Sequence, residues 1–131
     1  MKQYIVLASV FTPNIDKLEE LKRFSRVFGN IKQNVSDAVI PVVGCFEGVV
    51  EQSMAFEVDD IDAVKQVCHL FDGYGQKCIL VGNRKTRDAF MLSSDGQIKW
   101  CGKFRISLDK PAGDFTLTNY NGVDAYITVE R

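Results

Sequence analysis

The sequence contains little histidine, no strong excess of either charge and no long hydrophobic run. Of its 131 residues, one is histidine, 16 are Lys or Arg and 17 are Asp or Glu, giving a formal net charge of −1. DNA-coating proteins are basic and DNA mimics are strongly acidic, so neither class fits. No stretch approaches the roughly 20 apolar residues of a membrane span. We therefore expect a small molecule or another copy of the chain as the partner, with no nucleic acid and no membrane.

Signatures of metal binding and of nucleophilic catalysis are also missing. The only histidine, His69, falls with Asp62 and Lys65 on the polar side of a predicted helix, where a solvated surface histidine is expected. There is no Walker loop and no G-x-G-x-x-G motif. Four cysteines lie in apolar runs without C-x-x-C spacing, which favours reduced, buried thiols over a zinc site or a disulfide. They are Cys45, Cys68, Cys78 and Cys101.

What the sequence does contain is an ordered series of apolar strands and two amphipathic helices, in a composition that is 46% hydrophobic and suits a single domain. The chain opens on a strand rather than a signal peptide, so we expect a cytoplasmic protein. The patterns predict a strand over 3–11, a helix from Ile15 that ends at Gly29, a loop over 30–38, strands over 40–46 and 50–58, a helix between Asp60 and Gly73, and a strand over 77–81.

This order, βαββαβ, predicts an α+β fold, the ferredoxin-like two-layer sandwich, over residues 1–85 of the single domain 1–131. Residues 86–131 add C-terminal strands. They contain a hairpin, with strands over 89–92 and 97–100 around an Asp-Gly turn, a Pro/Gly loop over 109–113 and a terminal strand over 123–129.

The strands at 3–11 and 78–81 are apolar on both faces. In a two-layer domain the second face of the sheet would be exposed, and such patches mark interfaces. We therefore predict a homo-oligomer packed through this open face. The alternative is that the C-terminal strands cover it.

Glu51 differs from the other acidic residues because it lies on a strand, on the same face as Ser53. If that face is an interface, Glu51 is partly buried and its pKa is perturbed. The alternative is an exposed carboxylate on an edge strand.

Three pieces in order, ASVF, GCFEGVVEQS and QKCILV, give the chain a likeness to a known family. From Tyr4 to Ser93 the sequence resembles the bacteriophage S-adenosylmethionine (SAM) lyases, formerly called SAM hydrolases. The resemblance implies a PII-like trimer with active sites at the subunit interfaces. It also implies a reaction in which the carboxylate of SAM attacks its own γ-carbon and expels 5′-methylthioadenosine, leaving homoserine lactone. The implied role is antirestriction in the host cytoplasm, by depletion of SAM.

The resemblance also assigns the site. Glu51 matches the family's strand glutamate and is the expected catalytic residue, while Ser53, Ser9 and Phe11 are expected to bind substrate. Phe46 stands where a tyrosine is expected, so it can stack but offers no hydroxyl. Neither a metal nor a cofactor is required, because a sulfonium is already a good leaving group and intramolecular positioning is worth roughly 7–11 kcal/mol.

Two other functions fit the pattern. One is a non-enzymatic PII-like regulator that binds a nucleotide between subunits, with Arg84, Lys85 and Arg87 as phosphate ligands. The short connection between Phe46 and Val50 argues against it, and a solvated basic loop is the plainer interpretation of those cations. The other is an antirestriction factor that blocks a host enzyme directly.

Overall fold

The computed structural model describes residues 2–10, 16–46, 48–76, 78–120 and 122–130, without the side chains of Phe46 and Tyr120. The first six elements have the order βαββαβ, and four more strands follow among the described residues. They are β1 (Tyr4–Ser9), α1 (Lys17–Asn34), β2 (Ile40–Phe46), β3 (Val49–Val58), α2 (Ile61–Asp72), β4 (Cys78–Asn83), β5 (Asp88–Ser93), β6 (Ile98–Ser107), β7 (Phe115–Tyr120) and β8 (Val123–Glu130).

The strands form one closed antiparallel barrel in the order β1-β3-β2-β7-β8-β6-β5-β4, with β4 pairing back to β1. The prediction of a ferredoxin-like, PII-like two-layer sandwich is therefore wrong, although its six-element order is present. Barrel closure removes both the free strand edges and the open face that the sandwich would have had. A barrel of eight strands is just wide enough for side chains or one small ligand.

The second apolar face of β1 lies inside this barrel. Ile5 pairs with Gly82 and Leu7 with Leu80, and the ring of Phe104 on β6 lies so close to Gly82 that a Cβ there would be 2.9 Å from it. The face expected to pack against another copy is thus covered by the chain's own C-terminal strands, which confirms the alternative. Burying it within one chain avoids the entropy cost of association.

The helices pack on the outside of the barrel and form the main core with the outer faces of β1, β3 and β4. Val6, Phe56 and Val81 from the strands meet Ile31 and Phe71 from the helices, and all five are at most 1% exposed. Burying a side chain of this size contributes about 1.5–3 kcal/mol. This packing fixes which face of each strand points into the lumen.

Helix α1 was predicted to end at Gly29, but it continues to Asn34. Ile31, one turn beyond Val27, is fully buried, and its burial outweighs the roughly 1 kcal/mol that a mid-helix glycine costs. Helix α2 was predicted correctly: Asp60 caps it by accepting from the Ala63 N–H at 2.9 Å. Neither helix has the length and apolar character needed to cross a membrane.

Candidate functional site

The end of β1 and the start of β3 bring three of the predicted residues together. Ser9 pairs directly with Ser53, and Glu51 lies two residues earlier on the same inward face of β3. Opposite residues on an antiparallel pair have Cβ atoms about 4.5–5.5 Å apart. Glu51, Ser53 and Ser9 line one cavity of about 300 Å³, which we call the Glu51 chamber.

A larger cavity of about 500 Å³ lies beside it, and we call it the Asp114 chamber. The two cavities share four lining residues and so adjoin within the lumen. The shared residues are Leu7, Leu80, Met91 and Thr116. Ordinary small-molecule sites have volumes of about 300–1,000 Å³, so the Asp114 chamber lies within this range and the Glu51 chamber at its lower limit.

Glu51 is an uncompensated carboxylate at the mouth of its chamber. Burial raises its pKa, and the nearby Glu20 carboxylate in the first turn of α1 raises that pKa further. No hydrogen bond or ion pair joins Glu51 to another residue in the described ranges. Among the described residues, no Lys or Arg lines either chamber. The site therefore favours a cationic ligand over an anionic one.

Two hydroxyl groups in the lumen are available to a ligand. The Ser9 hydroxyl donates to the Gln52 carbonyl at 3.2 Å, and the Gln52 amide donates to the Val42 carbonyl at 2.9 Å, which ties β1, β3 and β2 together. Ser53 and Thr116 are 5% and 3% exposed, and neither hydroxyl bonds to another residue in the described part of the chain. Neither hydroxyl oxygen is fully buried, so both face the cavity and are suited to bind substrate.

Two of the predicted site residues are not placed with this group. Phe11 lies outside the described residues. The backbone of Phe46 ends β2 opposite Val49, but its side chain also lies outside them.

The sequence analysis missed other residues of the site. Thr116 lies on β7, which was not predicted, and Gln76 lies on the loop between α2 and β4. Glu20, in the first turn of α1, was not among the predicted site residues. The alternation of Phe115–Tyr120 is the signal that could have revealed Thr116.

The cysteines and the histidine, the residue types that commonly bind zinc, do not form a cluster among the described residues. Cys68 is buried in the outer core, where its thiol contacts the Leu92 carbonyl at 3.2 Å, and all four cysteines are free thiols. His69 is exposed on α2. Across the described residues, no group of three or more His, Cys, Asp or Glu side chains is placed to hold a metal ion.

Comparison with known proteins identifies the family of the chain. Residues 6–129, nearly the whole chain, match the S-adenosylmethionine lyase family, which confirms the resemblance seen in the motifs. No curated protein matches the chain.

Proposed function

The chain belongs to the S-adenosylmethionine lyase family, and from this premise we propose that it binds SAM in the Glu51 chamber and cleaves it there to 5′-methylthioadenosine and homoserine lactone. As a family member it is a SAM lyase, and SAM is its substrate. The observation that carries the proposal is the uncompensated Glu51 carboxylate in a cavity that lacks cations among its described lining residues.

The reaction balances without any outside reagent. A carboxylate oxygen of SAM attacks the γ-carbon and forms the lactone C–O bond. The C–S bond breaks, and its electron pair stays on the sulfur of methylthioadenosine. No proton is transferred, so the enzyme needs no general base and acts by folding the substrate into an attack geometry.

Glu51 is best suited to hold the ammonium group of SAM. The ammonium keeps its charge throughout the reaction, so a carboxylate that binds it stabilises the transition state as well as the ground state. The sulfonium loses its charge as the C–S bond breaks, so a carboxylate that held it would favour the ground state and slow the reaction.

The apolar walls of the chamber favour the transition state by keeping water away from the reacting groups. Leu7, Leu80 and Met91 line the chamber beside the hydroxyls. The attacking carboxylate and the sulfonium neutralise each other in the transition state, and a site with little water stabilises separated charges poorly. The transition state is therefore favoured relative to the bound substrate.

The nucleotide-regulator alternative places its basic residues elsewhere. Arg84 and Lys85 line a separate cavity with Lys2 and Gln3, near the start of β1, whereas the Glu51 chamber lies near its end. Arg84 is paired with Glu57. A nucleotide phosphate in the Glu51 chamber would face a carboxylate without a neutralising side chain, so this alternative receives no support from the chamber.

We propose further that the protein is a homo-oligomer, a trimer as the resemblance implies, with each mouth at a subunit contact. What supports this is an apolar patch beside Glu51: Val49 and Val50 directly precede it and are 50% and 66% exposed, and Leu18 and Leu21 flank Glu20 on α1. Large exposed apolar side chains grouped at one place mark interfaces. A second copy on this patch would close the mouth against water.

The proposed biological role is a bacteriophage counter-defence. SAM is the methyl donor and the cofactor of host modification and restriction, so cleaving it in the host cytoplasm blunts both. Expression of the protein in a bacterial host is expected to lower the SAM pool, and expression of the Glu51→Gln variant to the same level is expected to lower it less.

Incubation with SAM tests the central step. The wild-type protein is expected to release methylthioadenosine and homoserine lactone. Glu51→Gln is expected to lower kcat/KM by about 10- to 100-fold, since a hydrogen bond to a charged group is worth about 1.5–3 kcal/mol. Glu57→Gln is the matched control, because Glu57 lies on the same strand and is paired with Arg84. It should keep wild-type turnover. Absence of product and of SAM binding in the wild type would remove the proposal.

A further inference from the structure

The Asp114 chamber adjoins the Glu51 chamber and is the larger of the two, about 500 Å³ against about 300 Å³. SAM has a similar division, with a compact amino-acid half and a larger adenosine half joined at the sulfur. With the ammonium on Glu51, the sulfur falls toward the side chains that both chambers share, and the adenosine extends beyond them.

The walls of the Asp114 chamber have the chemistry that a purine nucleoside requires. Leu80, Met91 and Ile127 offer apolar side chains that can cover the faces of a flat ring. Asp114 at the rim is an acceptor for the amino group of adenine or for ribose hydroxyls. Because no Lys or Arg lines this chamber within the described residues, it suits an uncharged nucleoside better than a phosphorylated nucleotide.

Thr116 stands at the junction and lines both chambers. It is 3% exposed, and its hydroxyl bonds to no other residue in the described ranges. Unlike the Oγ1 of Thr118, the Oγ1 of Thr116 is not fully buried, so it faces the cavity, where a polar ligand atom at the junction can hydrogen-bond to it. Thr118, two residues along the same inward face of β7, is equally buried and its Oγ1 also has no partner among the described residues, but it lines neither chamber.

We infer that the Asp114 chamber is the binding site for the adenosine half of the substrate and that the Thr116 hydroxyl hydrogen-bonds to it at the junction. The inference rests on the proposed function for the identity of the ligand. The binding measurement that tests it needs no turnover, so the two can fail separately.

The probe is 5′-methylthioadenosine, which keeps the adenosine and the sulfur but lacks the amino-acid half. Its affinity is measured by calorimetry for the wild type, Thr116→Val and Thr118→Val. Valine keeps the shape and strand preference of threonine and removes only the hydroxyl. Thr116→Val is expected to weaken binding by about 3- to 15-fold, the loss of one hydrogen bond. Thr118→Val should bind like the wild type.

A second variant tests the chamber without relying on one hydrogen bond. Cys101 lines the Asp114 chamber alone, so Cys101→Phe should fill it and weaken methylthioadenosine binding by at least tenfold. Cys45→Phe is the control, because Cys45 is equally half-buried and lines neither chamber. Circular dichroism confirms that each variant is folded.

Wild-type affinity in both Thr116→Val and folded Cys101→Phe overturns the assignment, even if SAM is cleaved normally. Failure of the wild type to bind methylthioadenosine overturns it as well. Weaker binding in these two variants, with Thr118→Val and Cys45→Phe unchanged, supports it. That result would stand even if SAM proved not to be cleaved, which would remove only the proposed function.

Discussion

At Glu51, burial and the neighbouring Glu20 carboxylate act in the same direction, and both raise the pKa of the Glu51 side chain above its ordinary value. Both effects make ionisation of Glu51 unfavourable unless a nearby cation compensates for the negative charge. A ligand cation does so, because it stabilises the ionised carboxylate and lowers its pKa again. The electrostatic cost of ionising Glu51 and the preference for a cationic substrate are two consequences of one geometry.

The stability of the Glu51→Gln variant provides a test at this residue. Because the folded-state pKa of Glu51 is raised above the unfolded value, the folded protein binds the proton more tightly. This stabilisation is fully present below the unfolded pKa and is lost as pH rises through the folded pKa. At neutral pH we therefore expect Glu51→Gln to melt at the same temperature as the wild type or higher, with the difference vanishing in acid. Thermal unfolding at several pH values measures it, and a variant less stable than the wild type at pH 7 would contradict the account.

Glu20 provides a second test through the pH dependence of activity. Since the ammonium of SAM needs an ionised Glu51, kcat/KM should rise with pH through the raised pKa of that carboxyl. Glu20→Gln removes the repulsion, so the rising limb should move to lower pH. Glu19→Gln is the control, because Glu19 also lies in the first turn of α1 but pairs with Arg23 at 3.4 Å. Identical limbs in the wild type and Glu20→Gln would show that Glu20 does not act on Glu51.

At the scale of the elements, helix α1 places Glu20 beside the site. The length of α1 depends on two opposing effects, the cost of a glycine inside the helix and the stabilisation from burying Ile31. Gly29 lies inside the helix, and nothing lies within 4 Å of a Cβ built on it. Gly29→Ala should therefore stabilise the protein by about 0.5–1 kcal/mol. Chemical denaturation measures this, with Gly82→Ala as the contrasting variant. At Gly82 a Cβ would be 2.9 Å from the Phe104 ring, so destabilisation is expected there. A destabilised Gly29→Ala would show that the helix needs a glycine at this point.

The local patterns predicted most elements and the two residues of β3, Glu51 and Ser53, that line the chamber. Period-two alternation correctly placed Glu51 and Ser53 on one side of β3, and capping and spacing gave α2 its bounds. The predicted end of α1 at Gly29 was wrong because the helix-ending tendency of glycine is a local property. The burial of Ile31, which extends the helix, comes from packing against the barrel. Strand β7 was missed because the alternation of Phe115–Tyr120 is short and its place in the sheet depends on pairing with β2 and β8. Thr116, which lies on β7, was therefore not predicted as a site residue.

At the scale of the whole molecule, closure of the sheet places the second apolar face of β1 inside the barrel, where it lines the lumen. Strands β2 and β7 pair through residues that are 70 or more positions apart in the sequence, and no local pattern encodes such a contact. The sequence did show that the second face of β1 had to be covered. It could not show whether another copy or the C-terminal strands would cover it, because both bury the same side chains.

Assembly is a separate question at this scale, and the apolar patch beside the mouth makes it testable. Light scattering should give the mass of a trimer for the wild type. Val50→Asp, which places a charge in the patch beside Glu51, should give a monomer and reduce SAM cleavage by leaving the mouth open. Val123→Asp is the control, since Val123 is similarly exposed at the start of β8. A wild-type mass equal to one chain would rule out the oligomer while leaving the chamber within each barrel intact.

The account depends most on contact between Glu51 and the ammonium of the substrate. S-adenosylhomocysteine keeps the ammonium, the carboxylate and the adenosine but has a thioether in place of the sulfonium, so it cannot be cleaved. The most direct measurement is NMR titration of the ¹³C-labelled Glu51 carboxyl with and without this ligand, with Glu57 as the internal reference. We predict a Glu51 pKa above the ordinary glutamate value in the free protein and a clear fall when the ligand binds, with no change at Glu57. A Glu51 pKa that stays the same in the bound protein would contradict the account.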